Sequence, residues 1–386
     1  MFSFRTTNLY AQEDLVLSKG KVSVICNQTA WSPQRGEYMH QEFIRRGNLK
    51  RVMVPFADSL YNLQSNSNIE FKYLSSEPNR AVAFESADFK DTDAIVFEMQ
   101  DVGSRYFSVP NIVMALFSFL EENGGDIPVY LVDRINPAGR QVEGTALTAG
   151  YRSHIGIEGL PHRYGLTIGE VANYIYTKIG CRFPLHIISY KATSSNKLIM
   201  PWSIPPSDNF SRYFTFSLFS GQYLWKGTNV SCAEGTGMAY EMFGAPFLKD
   251  KELDSNPLFK DSGVFARRIS FTEPAQKESK QAEQTVNYGY QLLLSPDYQY
   301  NALAHNLRLM RCVKDACPEF VPLQKEEASE HQPLEQLLGD KQLINFVLSG
   351  ADWEQTKEHI KLEEQRWIKK AKKLLLYPTE PLFRIK

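Results

Sequence analysis

The sequence predicts an α/β protein built on a mainly parallel sheet covered on both faces, with a second, smaller α+β domain after it. Three observations carry this expectation. Through the first half, short apolar runs alternate with helical segments, the order expected of parallel strands joined by crossover helices. At 386 residues the chain is too long for one ordinary core. Near Trp202 the texture turns Gly-rich, turn-rich and aromatic, and the last part is helical. The expected division is 1–222 and 223–386.

Each element follows from local pattern. Residues 21–27 (KVSVICN) are an apolar strand ending in an amide, and residues 36–46 form a helix. Residues 51–56 and 93–99 are further strands, the latter followed by an apolar helix over 112–122 that Gly124 and Gly125 stop. Residues 128–134 and 184–190 are the fourth and fifth strands, with a helix over 167–179 between them. Thr167 and Glu170 open that helix as a capping box, a role favoured for Glu170 over catalysis. Residues 214–224 are aromatic and strand-like, 271–286 a surface loop, 288–294 β-rich, and 334–376 helical.

Composition excludes several classes. Lys plus Arg (43) nearly balance Asp plus Glu (44), so no global field draws nucleic acid or anionic membrane. No stretch approaches the ~20 uncharged apolar residues of a membrane span. The first residues lack the apolar core of a signal peptide, so a cytoplasmic location is expected, or a periplasmic one if an export signal was trimmed. The cysteines, Cys26, Cys181, Cys232, Cys312 and Cys317, are odd in number and scattered, which fits buried thiols and not a disulfide framework. No dinucleotide fingerprint, P-loop, nucleophile elbow or zincin motif occurs, and the isolated Ser-x-x-Lys spacings at Ser18 and Ser194 have no companion motifs.

Residues 96–107, VFEMQDVGSRYF, form the most informative segment: an apolar strand that empties into acids, an amide and a guanidinium. In open α/β sheets ligands bind beyond the carboxyl ends of strands. Asn27, Glu98 with Asp101, and Asp133 with Asn136 are all expected at that edge. The acids Glu98, Asp101, Asp133 and Glu143 are candidates for general acid–base work. Asn27, Gln100, Asn136 and Asn229 offer amides that can hydrogen-bond a polar ligand, sugar hydroxyls under the resemblance given below, and Arg105 or Arg163 suits a carboxylate. The structural alternatives stay open: an Asp101–Arg105 ion pair at a helix start, an Arg163 pairing for stability, and a turn at Asp133.

Four segments in order resemble one family. VFEMQDVGSRYF resembles its Asp-Ile-Gln-Asp-Val-Gly-Ala-Arg-Phe-Tyr segment, and VDRINPAGRQVEG (132–144) its Asp-Arg-Pro-Asn-Pro…Val-Glu-Gly segment. LPHRYGLTIGE (160–170) resembles Ile-Pro-x-Arg-His-Gly-Met-Thr-Ile-Gly-Glu, and WKGTNVS…GAPF (225–247) resembles Phe-Glu-Gly-Thr-Asn-x-Ser…Gly-Ala-Pro-Trp. The family is the exo-β-N-acetylmuramidases of the NamZ type, long catalogued as a domain of unknown function. The resemblance implies a Rossmann-like first domain, a smaller second domain and a sugar site in the cleft between them. It implies release of terminal N-acetylmuramic acid from the non-reducing end of peptidoglycan fragments. The implied partner is a small carbohydrate or muropeptide, with no cofactor, no metal and no nucleic acid; oligomeric state is left open.

The chain departs from the family pattern at functional positions. Where the pattern has Pro-Glu-His-Gly, with Glu the leading catalytic candidate, the chain reads Pro55-Phe56-Ala57-Asp58. The pattern's Ser-Glu-Gly-Arg-Gly-Thr reads Ser231-Cys232-Ala233-Glu234-Gly235-Thr236, and its His before Gly-Met-Thr is Tyr164. Glu234 and Asp58 are candidate replacement acids. Three readings follow: a glycosidase with a rebuilt acid set, a catalytically degraded paralogue that binds glycans, or a scaffold without a ligand.

Overall fold

The computed structural model describes residues 5–6, 15–32, 36–55, 70–75, 81–123, 125–189, 204–210, 212–274, 285–295, 300–327 and 329–385. Along the chain the strands are β1 (Arg5–Thr6), β2 (Val22–Cys26), β3 (Trp31–Ser32), β4 (Glu37–Tyr38), β5 (Leu49–Val54), β6 (Glu70–Tyr73), β7 (Ala94–Glu98), β8 (Val129–Val132), β9 (Glu143–Ala146), β10 (Pro161–Arg163), β11 (Leu185–Ile188), β12 (Met242–Ala245), β13 (Val264–Thr272) and β14 (Val286–Leu294). The α-helices are α1 (Leu15–Lys19), α2 (Met39–Arg46), α3 (Val109–Glu122), α4 (Ile168–Ile179), α5 (Thr215–Gln222), α6 (Ala302–Ala316), α7 (Pro333–Leu338), α8 (Lys341–Ile344) and α9 (Trp353–Ala371).

Seven strands form one sheet in the order β1-β11-β8-β7-β2-β5-β6, and every neighbouring pair is parallel. Alternation along β7 explains the double cover. Ile95 and Phe97 pack with Val113, Leu116 and Phe117 of α3 and Ile175 of α4 on one face. Ala94 and Val96 pack with Met39 and Phe43 of α2 on the other. Strand order runs outward from β2 through β5 to β6, then restarts at β7 beside β2. The β2–β7 boundary is therefore the topological switch point, where the loops diverge and leave a crevice.

The smaller domain carries a three-stranded antiparallel sheet, β12-β14-β13. Its core joins Trp225, Phe243 and Leu292 to Leu303, Leu307 and Met310 of α6. Residues 214–224, expected as strand, are instead α5 and a 3-10 turn, Tyr223–Gly227. The reason is spacing: the buried rings Phe216, Phe219 and Tyr223 recur at helical intervals and fall on one face. The helical end is broken, because Gly339 and Gly350 adopt left-handed φ of 61° and 84° and close α7 and a π turn before α9 begins. The helix expected over 36–46 begins at Met39. The preceding helix stop is capped by Asn123, and Gly124 lies outside the described residues. Strand β13 and helix α6 were not expected. The five cysteines are free and buried, and no described helix is long and apolar enough to cross a membrane.

After α9 the chain returns to the parallel sheet. Leu376 N–H donates to Glu170 Oε1 at 2.9 Å, and Tyr377 donates its hydroxyl to Asp133 Oδ2 at 2.8 Å. Phe383 exchanges main-chain hydrogen bonds with Val142 and Arg140. Arg384 Nε donates to Glu364 Oε2 at 2.9 Å.

Candidate active site

The switch point is stitched by amides and a hydroxyl. Asn27, just past β2, caps the turn Gln28–Ala30 by accepting from Thr29 N–H at 3.0 Å. Thr29 Oγ1 in turn accepts from Gln100 N–H, just past β7, at 2.9 Å. Gln100 spends its side-chain N–H groups on the carbonyls of Asp101 and Ile135 at 2.8 and 3.0 Å. Its Oε1 is buried with no hydrogen-bond partner. Glu98 ends β7 and forms an ion pair with Arg134, with side-chain exposures of 8% and 17%.

Several predicted binding residues turn out to hold the fold. Asp101 and Arg105 do not pair with each other. Asp101 Oδ2 accepts from Gly103 N–H at 3.0 Å and from the Tyr164 hydroxyl. Burial pushes its carboxyl up to about 6, opposed by those hydrogen bonds. The Arg105 guanidinium is buried against four carbonyls, Thr145, Leu160, Leu337 and Leu338, and against His162 Nε2 at 3.1 Å. Facing main chain and not a carboxylate, it has few donors left for a ligand.

Asp133 accepts from Arg134 N–H, Gly169 N–H, Thr167 and Tyr377, so it caps α4 from the next strand end and holds the returning chain. Burial raises its carboxyl to about 6. Asn136 bridges Leu166 O and Ala138 N–H, both at 2.9 Å. Glu143 and Arg163 pair at 2.7 Å inside the core. The other Glu143 oxygen accepts from Ser220 of α5 and Leu303 N–H of α6, which ties the two domains together. Asn229 bridges Glu319 O and Val321 N–H. Glu170 completes the expected capping box with Thr167 and also pairs with Arg140. Phe56 and Asp58 lie outside the described residues.

Glu234 differs from all of these. Its carboxylate is reached by Lys226 Nζ at 2.5 Å and by the Tyr240 hydroxyl, yet its side chain keeps 32% exposure. Ala233 before it adopts φ 59°, a left-handed conformation that favours glycine. The family pattern has Gly there, so the backbone geometry supports the register of the resemblance. In that register Lys226 stands where Phe-Glu-Gly-Thr-Asn has Glu, and Glu234 where Ser-Glu-Gly-Arg has Arg. The charges at the two positions are opposite to those of the pattern, and in this chain they pair. Cys232, at the remaining Glu position, is buried in the second core.

Two recesses flank the loop 153–155. One, of about 340 Å³, lies between Pro55, Ser75, Tyr106, the start of α3 and the 152–158 loop. The other, of about 280 Å³, is lined by Tyr223, Lys226, His331 and Leu337 among others. Sequence reasoning singled out Tyr164 only as a departure from the pattern, and it missed Lys226, Tyr240 and Arg134. The Lys226 signal was available in the exchanged charges, whereas Tyr240 and Arg134 are ordinary residues until their partners are known. Among the described residues no cluster of metal-ligating side chains is found.

Fold and site together define a two-domain α/β protein with carboxylates and amides at a switch point and a carboxylate–ammonium pair on the second domain. The chain belongs to the NamZ exo-β-N-acetylmuramidase family. Residues 22–213 match the family's N-terminal domain and residues 217–377 its C-terminal domain. The peptidoglycan β-N-acetylmuramidase NamZ of Bacillus subtilis strain 168 is 28% identical over 294 residues, covering 75% of this chain and 68% of that protein. Crystal structures of two DUF1343 family proteins of Bacteroides fragilis share the fold. One has a TM-score of 0.72 over 94% of this chain and 95% of its own, the other 0.75 over 93% and 94%, each at 19% identity.

Proposed function

We propose that the protein is a glycoside hydrolase that releases terminal N-acetylmuramic acid from peptidoglycan fragments, with Glu234 acting at the glycosidic bond. The observation that carries this is Glu234 itself. Of the candidate acids among the described residues, Asp101 is sealed beneath Tyr164, Asp133 and Glu143 are buried in contacts that hold the fold, and Glu98 is nearly covered in its pair with Arg134. Glu234 alone combines a fixed carboxylate with substantial solvent access. Two-carboxylate hydrolysis needs a second acid across the bond, and Glu98, at the switch point of the other domain, is assigned that place. The activity of the Bacillus subtilis relative agrees with this substrate class.

A specific observation favours a second reading, a degraded paralogue that binds the same glycans. Glu98 is committed to Arg134, and Phe56 occupies the pattern's catalytic Glu position. The test is hydrolysis of a chromogenic β-N-acetylmuramide and of a muramic-acid-terminated disaccharide by wild type, Glu234→Gln and Phe56→Glu. Wild-type turnover that falls about 10²–10⁴-fold in Glu234→Gln supports the enzyme. Turnover by Phe56→Glu alone supports the paralogue. No turnover, with no binding by calorimetry, sinks both.

A further inference from the structure

The recess of about 280 Å³ beside the 153–155 loop has the make-up of a small-molecule subsite: an apolar floor, a few polar groups and a position where the two domains meet. Ile155, Pro333, Leu337 and the Tyr223 ring supply apolar surface. The one cation among the lining residues is Lys226, with 29% side-chain exposure. An ammonium carries three donors. One serves Glu234 at 2.5 Å, and the others have no protein acceptor among the described residues. His331 presents Nδ1 to Glu335 at 3.5 Å and packs its ring on Tyr151 at 4.5 Å, which leaves Nε2 as its second polar atom. The opposing charge, Glu326, is exposed at the rim, where solvent and salt screen it more than the half-buried ammonium.

We propose that this recess binds a carboxylate-bearing substituent of the substrate, with Lys226 as its anchor and His331 Nε2 as a second donor beside it. The inference rests on the glycosidase reading for the sugar, but its own content is the charge preference of this recess. The exchange of charges makes it particular to this chain: a glutamate at position 226 repels the carboxylate that Lys226 attracts. The carboxylate has two possible sources, the lactyl group of the sugar itself or the first residue of an attached peptide.

The test is calorimetric binding of N-acetylmuramic acid, N-acetylglucosamine and N-acetylmuramoyl-L-alanine to wild type, Lys226→Met and His331→Gln, alongside hydrolysis of the chromogenic muramide. The expected result is a preference of about tenfold or more for a carboxylate ligand over N-acetylglucosamine, as one charge-assisted hydrogen bond gives. Lys226→Met abolishes that preference, and His331→Gln, which leaves the Glu234 pair intact, reduces it severalfold. A preference for N-acetylmuramic acid assigns the lactyl carboxylate, and one for the alanine-bearing ligand alone assigns the peptide. A preference that survives both variants overturns the subsite and leaves the glycosidase reading standing. So does equal or undetectable binding of all three ligands with hydrolysis intact. Loss of both binding and hydrolysis in wild type overturns both.

Discussion

The hydroxyl of Tyr164 donates a hydrogen bond to Oδ2 of Asp101, and both side chains are buried, Tyr164 completely. The other oxygen, Oδ1, is buried with no partner. Tyr164 and the Gly103 amide therefore carry most of the compensation for enclosing this carboxyl. Tyr164→Phe removes the larger share at constant ring volume. The expected loss is about 1–3 kcal/mol, greater at pH 8, where Asp101 is ionised, than at pH 5. Urea unfolding at the two pH values checks it, and equal losses would count against the pair.

Three buried acids should each give up stability as pH rises from acid to neutral. Burial pushes Asp101 and Asp133 up to about 6 and Glu364 up to about 7. In the unfolded chain such groups titrate near ~4. Between those limits the folded protein holds more protons, so the stability these groups give is complete below about pH 4 and lost through pH 6–7. Buried His40 and His305, both lowered to about 4 by burial, act in the opposite sense over the same range, so the check is a difference: Glu364→Gln should gain thermal midpoint relative to wild type as pH rises from 5 to 8. A difference that stays constant across this range would refute the assignment.

Exchanging the charges of the Lys226–Glu234 pair should be tolerated when done on both sides. Lys226→Glu alone replaces the 2.5 Å ion pair by two neighbouring carboxylates, at a cost of about 1 kcal/mol for a site about one-third exposed. The double variant Lys226→Glu with Glu234→Arg, which restores the charge order of the family pattern, should recover most of that loss. A double-mutant cycle with no coupling would show that the bridge is incidental.

Arg105 is expected to matter for folding and not for ligand recognition. Arg105→Met strands four buried carbonyls and should lower stability by about 4 kcal/mol. Soluble yield and melting temperature report it. Whatever folded fraction remains should bind sugar as wild type does, and a selective loss of sugar affinity would return Arg105 to the site.

What the sequence made legible was governed by local physics. The apolar runs at 94–98 and 129–132 mark buried parallel strands because both of their faces are covered, and Thr167 with Glu170 marks a helix start from four residues alone. Residues 214–224 misled because a dense aromatic run suits a strand as well as a helix, and only the spacing of Phe216, Phe219 and Tyr223 tells them apart. At the site, the acids and amides beyond the strand ends were identifiable by type. Their roles were not, because those depend on partners far along the chain. Arg105 meets the carbonyls of Leu337 and Leu338 across 232 and 233 positions. Asp133 meets Tyr377 across 244. A residue that ends a strand beside a crevice looks the same in sequence whether its hydrogen bonds remain open to a ligand or are filled by the far end of the chain.

The returning segment after α9 also sets an order of events during synthesis. Domains ordinarily fold as units, the earlier one first, while the chain is still being made. Here the parallel sheet obtains the last partners of Asp133 and Glu170 from Tyr377 and Leu376, and its 140–142 loop pairs with Phe383. The sheet domain is translated early, but two of its buried acids stay short of partners until residues 376 and 377 leave the ribosome. Until then the sheet domain has only the incomplete stability of an unlatched fold.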